Sequence, residues 1–249
     1  MTSTVHQQQP ESTARPGVDT AIAGIEDIIF GGLEPGAEVP SEAEMAASFG
    51  VSRLTVREAV RALEARGLLE TRKGRRSRVA VPSGMLVGDF FRTAVRRDPL
   101  ALLQLLDVRR ALEVQTASLA ARRASSGAIA GMEMSIAAMR SAGEDLEAFH
   151  NADIRFHESL AAGSSNEMLV FLIEAMAEPL RTSRERSLTG HIERGGSIED
   201  VIEQHEAILD AVKARSPRLA ELQMRRHLNS TEEDLRTRLL HTAPSETGP

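Results

Sequence analysis

The chain contains no cysteine, no tryptophan and no tyrosine, and its 3% of aromatic residues are all phenylalanine. Without cysteine there can be no disulfide scaffold, iron–sulfur centre, thiolate-ligated zinc or thiol nucleophile. So few aromatic rings argue against single-strand nucleic-acid binding by base stacking and against sugar-binding clefts. Long apolar runs are missing too. The longest, Met168 to Ile173, is six residues, against the roughly 20 that a membrane-spanning helix needs. No basic stretch followed by an apolar one occurs in Met1 to Gly17, so no secretory signal is visible, and a cytoplasmic protein is expected. There is no His-Glu-x-x-His, no Gly-x-Ser-x-Gly and no glycine-rich loop before Lys-Ser/Thr.

What is present is an ordinary globular balance: 249 residues, 41% hydrophobic and 27% charged, enough for one large or two ordinary domains. The net charge of −6 is unevenly spread. Asp19 to Glu44 holds seven acids and no Lys or Arg, whereas Arg53 to Arg78 holds nine bases and three acids. A basic stripe on an acidic chain is the electrostatic footprint of a double-stranded DNA binder.

Residues 1–17 and 241–249 are rich in Gln, Ser, Thr and Pro, lack apolar periodicity, and are expected to be disordered tails. Between them two domains are expected, 18–82 and 85–240. In the first, Ile22, Ile25 and Ile29 recur at helical spacing before Gly31-Gly32, Ser41-x-x-Glu44 forms a capping box, and Gly50 breaks a short helix. Ser52 then caps a third helix, and β-leaning runs flank Lys73-Gly74. The second domain reads as helices over 85–97, 100–122, 126–142, 145–162, 167–187, 198–214 and 217–240, an all-α bundle of six to seven helices. The predicted fold is therefore mainly α: a winged helix-turn-helix of three helices and a hairpin, followed by that bundle.

The third helix is divided. Val56, Ala59, Val60 and Leu63 make a buried stripe at i, i+3, i+4 and i+7. Arg53, Arg57 and Arg61 are four apart and span only about 80° of arc beside it. Such a helix packs one face on its domain and offers guanidinium forks to guanine O6 and N7, while Ser52 and Thr55 can reach phosphates. The stretches Leu33-Glu34-Pro35-Gly36, Pro40-Ser41-Glu42, Gly50-Val51-Ser52-Arg53, Val56-Arg57-Glu58-Ala59 and Leu63-Glu64-Ala65-Arg66-Gly67-Leu68 resemble the winged helix-turn-helix of the GntR family of bacterial transcription regulators. The resemblance implies DNA contacts by Ser52, Arg53, Thr55 and Arg57 and by the wing-tip Gly74; Arg61 and Arg75 extend the same basic face. Ala43 and Leu54 depart from the family pattern, and the wing Gly74-Arg75-Arg76-Ser77-Arg78 is unusually basic.

A second signal lies in the helical domain. Asp153 and His157 are four apart on one helix, and His205 and His227 fall on the apolar stripes of two later helices. Spacing alone leaves two readings open: satisfied core histidines, or one carboxylate and three imidazoles meeting at a divalent metal. Asp153-x-x-x-His157, His205 and His227 are similar to the mark of the FCD ligand-binding domain of the FadR subfamily. That resemblance implies a metal, zinc first with nickel, cobalt or manganese as alternatives, at the base of a cavity for a small carboxylate effector such as a hydroxy-, keto- or dicarboxylic acid. It also implies Arg109 and Asn166 as effector-binding residues, with Arg110 taking the place of Arg109 if the helix phase is off by one. His150 has no counterpart there and reads as exposed. The expected function is a ligand-responsive transcription regulator, repressor first with activator as the alternative, not an enzyme, binding operator DNA as a homodimer. The alternative is an all-α metal-dependent hydrolase that carries a helix-turn-helix.

Overall fold

The structure, a computed structural model, describes residues 16–72 and 75–242. The chain divides into two compact units between Ser83 and Gly84. No described helix is long and apolar enough to cross a membrane.

The first unit holds α1 (Pro16–Phe30), α2 (Glu42–Phe49), α3 (Arg53–Ala65), β1 (Leu69–Glu70) and β2 (Arg78–Val79). Helix α1 starts at Pro16, inside the stretch expected to be tail, because proline's fixed φ suits the first helical turn. The capping box forms as the spacing predicts: Ser41 Oγ accepts from the Glu44 amide at 3.3 Å and Glu44 Oε2 accepts from the Ser41 amide at 2.7 Å. Gly50 ends α2 at φ 68°, the left-handed region that favours glycine. Two residues later Ser52 Oγ accepts from the Thr55 amide at 3.1 Å and opens α3. Val56, Ala59, Val60 and Leu63 of α3 are buried against Ile25 and Ile29 of α1 and Met45 of α2. The strands are shorter than their β-leaning runs, two residues each, paired antiparallel as Leu69↔Val79 and Glu70↔Arg78. A bridge from Glu38 to Arg78 widens the wing at its base.

The second unit holds α4 (Met85–Arg97), α5 (Ala101–Arg123), α6 (Ser126–Ala142), α7 (Leu146–Gly163), α8 (Glu167–Ala177), α9 (Arg181–Glu193), α10 (Ile198–Lys213) and α11 (Pro217–Thr242). That is one helix more than the six to seven expected. Pro179 cannot continue the predicted 167–187 helix, so α8 ends at Ala177 and α9 begins at Arg181. Helix α11 runs two residues beyond its expected end. Helix α5 packs on α7 and α11, α6 on α7, and α9 on α11. Apolar side chains fill two clusters, one around Met132, Phe156, Ile208 and Met224, the other around Leu102, Leu106, Ile173 and Leu235. A buried band of polar and charged side chains from α5, α7, α9, α10 and α11 accompanies them.

Gly190 brings α9 against the backbone of α11, for a Cβ there would fall on the Asp234 carbonyl group. Gly127 near the start of α6 is open by contrast, its nearest neighbour Ser125 Oγ at 3.8 Å. The two glycine-to-alanine changes should therefore move stability in opposite directions. Gly190→Ala forces two backbones apart and should cost about 2 kcal/mol or more, whereas Gly127→Ala relieves helix entropy and should gain about 0.5 kcal/mol. Thermal unfolding of the two variants checks both signs.

Candidate metal centre and nucleic-acid interface

Each unit carries one site. In the first, the outer face of α3 presents Arg53, Arg57 and Arg61, all exposed, with Leu54 65% exposed beside them. Ser52 and Thr55 are tied together, their hydroxyl oxygens 2.8 Å apart, so the cap of α3 and its small polar surface are one feature. Arg75 and Arg76 of the wing are exposed. Gly74, expected to make a wing-tip contact, lies outside the described residues. Carboxylates thread through this basic surface: Arg78 meets Glu38 at 2.9 Å and Arg76 meets Glu44 at 3.8 Å. Arg57 is held most closely, with its Nε 3.2 Å from both Glu42 oxygens and its Nη2 2.8 Å from Oε2. The Arg57 hydrogen bond, outweighing a small burial effect, lowers the Glu42 pKa, and Glu42 raises that of Arg57. The role of Glu42 as partner was not legible in the spacing, because it lies 15 residues from Arg57.

In the second unit, Asp153 and His157 of α7, His205 of α10 and His227 of α11 come together, all four buried. One nitrogen or oxygen from each lies within 4.8 Å of the others. What surrounds them decides which nitrogen faces inward. His205 Nδ1 lies 2.7 Å from the Val201 carbonyl oxygen, which can only accept, so Nδ1 donates there and Nε2 is the nitrogen turned towards the quartet. His227 Nδ1 is 2.9 Å from Gln204 Oε1 and is fixed in the same way. His157 Nδ1 is 2.5 Å from Glu113 Oε2, close but out of line for a regular hydrogen bond. Hydrogen-bonded Nδ1 with a free Nε2 is how proteins prepare imidazoles to bind metal ions.

Two of the inward nitrogens lack hydrogen-bond partners, whereas His157 Nε2 faces an Arg109 N–H at 2.8 Å. His205 Nε2 and His227 Nε2 are buried without a hydrogen bond. His205 Nε2 instead faces Asp153 Oδ1 at 3.0 Å. That nitrogen and that oxygen are placed to share a cation between them. The donor set therefore fits a divalent transition metal, with nitrogen and oxygen ligands and no thiolate. Charge states agree. Burial would raise the Asp153 carboxyl, yet Arg184, His205 and His157 hold it well below its ordinary value. Burial pushes the imidazoles of His157 and His227 down, so both stay neutral, the ligating form.

A cavity opens beside the quartet. Its volume is about 40 Å³, and Arg109, Arg184, His150, Ser187, Thr231 and Asp234 are among its lining. Arg109 is 1% exposed, donates to His157 Nε2 at 2.8 Å and pairs with Glu113 at 2.5 Å. Arg110 turns the other way, to Asp107 and Glu232, which settles the helix phase in favour of Arg109. Arg184 Nε lies 2.5 Å from Asp153 Oδ2.

Two expectations are corrected. Asn166 does not line the cavity. Its side-chain oxygen accepts from the amides of Met168 and Leu169 at 3.1 and 3.3 Å, capping α8, the usual use of an Asn just before a helix. His150 is not exposed. Three residues before Asp153 it shares that face of α7 and is 5% exposed at the cavity wall, where burial lowers its pKa. Three residues escaped the sequence reading: Glu113, Gln204 and Arg184. Glu113 stands one turn after Arg109 and Gln204 immediately precedes His205, so both were adjacent to recognised positions. Arg184 was hidden by the unforeseen break at Pro179, which changes the phase of α9.

Comparison with known proteins finds a family match in each unit. Residues 25–79 match the bacterial regulatory proteins of the gntR family and residues 104–230 match the FCD domain. The chain is 34% identical over 206 residues to the HTH-type transcriptional regulator LutR of Bacillus subtilis, covering 82% of this chain and 94% of that one. It is 31% identical to the galactonate operon transcriptional repressor of Escherichia coli, covering 78% and 85%. Among solved structures it is similar to Streptococcus agalactiae GntR, with a TM-score of 0.69 and 25% identity over 87% of this chain and 99% of that one. These families and relatives are transcription regulators, not enzymes, which removes the hydrolase reading. The chain belongs to the gntR family of bacterial transcription regulators, with a helix-turn-helix DNA-binding unit and an FCD domain.

Proposed function

We propose that the chain is a cytoplasmic, homodimeric repressor that releases its operator in response to a small carboxylic acid held next to a divalent metal. Residues 18–82 serve as its DNA-binding domain and 85–240 as its effector domain. The observation that carries this reading is the buried quartet, with unpartnered Nε2 atoms on His205 and His227 facing the Asp153 carboxylate. Asp153, His157, His205 and His227 are the ligands, and zinc is the first candidate, ahead of nickel, cobalt and manganese. When bound, the ion supplies a Lewis acid for a carboxylate oxygen. Arg109 and Arg184 take the remaining negative charge, since a buried guanidinium fork matches a carboxylate in shape and sign. Glu113 holds the His157 ring, and Ser187 and Thr231 offer hydroxyls to a hydroxylated acid. On the DNA-binding side, Arg53, Arg57 and Arg61 of α3 enter the major groove of each half-site of a two-fold operator. Ser52 and Thr55 meet phosphates, as do Gly74 and Arg75 of the wing.

The metal and operator functions should separate by mutation. His205→Ala should lose bound metal and response to acid yet still bind operator. Glu113→Gln should weaken metal binding by about 10- to 100-fold, the usual effect of removing a residue that holds a ligand in place. Metal content by mass spectrometry and operator affinity with and without galactonate or other small hydroxy and dicarboxylic acids are the measurements. Full metal content and a normal response in His205→Ala would overturn the site.

The wing should act chiefly through charge. Replacing Arg75 and Arg76 with Gln should weaken all duplexes alike and reduce the slope of log affinity against log salt by about one to two units. Titration of operator and scrambled duplexes over a range of salt checks this, and a change of base preference at constant slope would contradict it.

A further inference from the structure

Glu42 is the first residue of α2, directly after the Ser41 cap, and its carboxylate lies within the basic surface that α3 offers to DNA. Both of its oxygens are used on one arginine. Nε of Arg57 is 3.2 Å from each, and Nη2 is 2.8 Å from Oε2. This is the side edge of the guanidinium. An arginine carries five N–H groups. The side-on pair engages Nε–H and one Nη2–H, leaving both Nη1 hydrogens and the second Nη2 hydrogen at the outer end. That end is the fork that fits guanine O6 and N7.

The elements behind the pair are rigid. The Ser41–Glu44 capping box fixes the start of α2, Gly50 sets the turn, and Met45 of α2 shares a core with Val56 and Ala59 of α3. Both side chains are partly in water, with 53% and 36% of their areas exposed. An ion pair so placed contributes little to fold stability. It does reduce the number of directions in which Arg57 can reach. It also puts a negative charge where phosphates of any sequence would approach.

We propose that Glu42 is a positioning residue for DNA recognition: it holds Arg57 side-on so that the outer fork meets a base, while its charge repels the backbone of every duplex alike. The proposal rests on the reading above that Arg57 contacts a base. Glu42 lowers affinity for DNA in general and raises the preference for operator over other duplexes. Released from Glu42, the Arg57 side chain reaches phosphates as readily as bases.

The experiment uses the full chain, an operator duplex selected from random sequence by the wild-type protein, and a scrambled duplex of the same composition. Glu42→Gln, Arg57→Ala and the double variant are titrated on both across a range of salt. In Glu42→Gln, thermal unfolding should be unchanged and affinity for the scrambled duplex should rise. Its salt slope should rise by about one, and the operator-to-scrambled ratio should fall by about tenfold. In the Arg57→Ala background, the same change at Glu42 should leave the ratio where Arg57→Ala put it, because Glu42 acts through Arg57. An unchanged ratio in Glu42→Gln alongside a lost ratio in Arg57→Ala overturns the positioning role and leaves the base contact standing. An equal fall with and without Arg57 overturns it as well. Unaltered operator preference in Arg57→Ala removes the base contact itself, and the proposal with it.

Discussion

Charge buried out of water must be compensated locally, and the helical unit is organised around that requirement. Asp153, Glu113, Arg109 and Arg184 are each nine-tenths buried or more. An isolated ion in such a place would cost several kcal/mol. Here Arg109 faces Glu113, Arg184 faces Asp153, and His157 stands between the two carboxylates. The members come from α5, α7 and α9, and His205 and His227 add α10 and α11. Five helices must therefore arrive in one register, and a slip of one residue in α5, α7 or α9 would leave a charge alone. The close backbone approach of α9 to α11 at Gly190 belongs to the same constraint, since it brings Asp234 and Ser187 to the cavity that adjoins this band.

The DNA-binding unit meets a different constraint with one helix. Helix α3 closes the core with Val56, Ala59, Val60 and Leu63 while its other face keeps arginines in water. Acidic side chains on the neighbouring segment, Glu38, Glu42 and Glu44, offset part of that basic surface. Self-repulsion among the arginines is thereby reduced, and each guanidinium so engaged gains a preferred direction. The acidic run and the basic run noticed in the sequence are thus not two regions with separate tasks. They interleave on one surface.

Local physics made much of this legible in advance. Helices α4 and α6 run over 85–97 and 126–142 as expected, because Ser125 and Gly143 punctuate α6 and Asp98-Pro99 follows α4. The Asp153–His157 spacing located two members of the quartet from periodicity, and His205 and His227 stood out as polar residues on apolar stripes. Helix α9 was illegible as a separate element for a physical reason. Its buried residues are Ser183, Arg184, Ser187, Leu188 and Gly190, with one apolar side chain among small and charged ones, so no hydrophobic period marks it. The same polarity concealed Arg184, whereas His150 read as exposed because the resemblance gave it no counterpart, although it shares the buried face of α7 with Asp153 and His157. Asn166 shows the opposite error. A resemblance pointed to the cavity, whereas its position before a helix already pointed to a cap.

The charge balance of the buried band links the two ligands of the proposed function. Arg109 and Arg184 contribute two positive charges, Glu113 and Asp153 two negative ones, and the imidazoles lowered by burial contribute none. These four charges balance one another. A divalent cation accepted by the quartet leaves two positive charges in a medium of low dielectric, where they are costly. An acid entering beside Arg109 and Arg184 offsets part of that excess. Metal and acid should then each tighten the binding of the other by the same factor, as reciprocal linkage requires. Asp153 is central to that linkage. Its Oδ1 faces His205 Nε2 while its Oδ2 engages Arg184, so a cation held by the quartet would draw on the same carboxylate that pairs with the guanidinium, and Arg184 would then be freer to meet an incoming carboxylate.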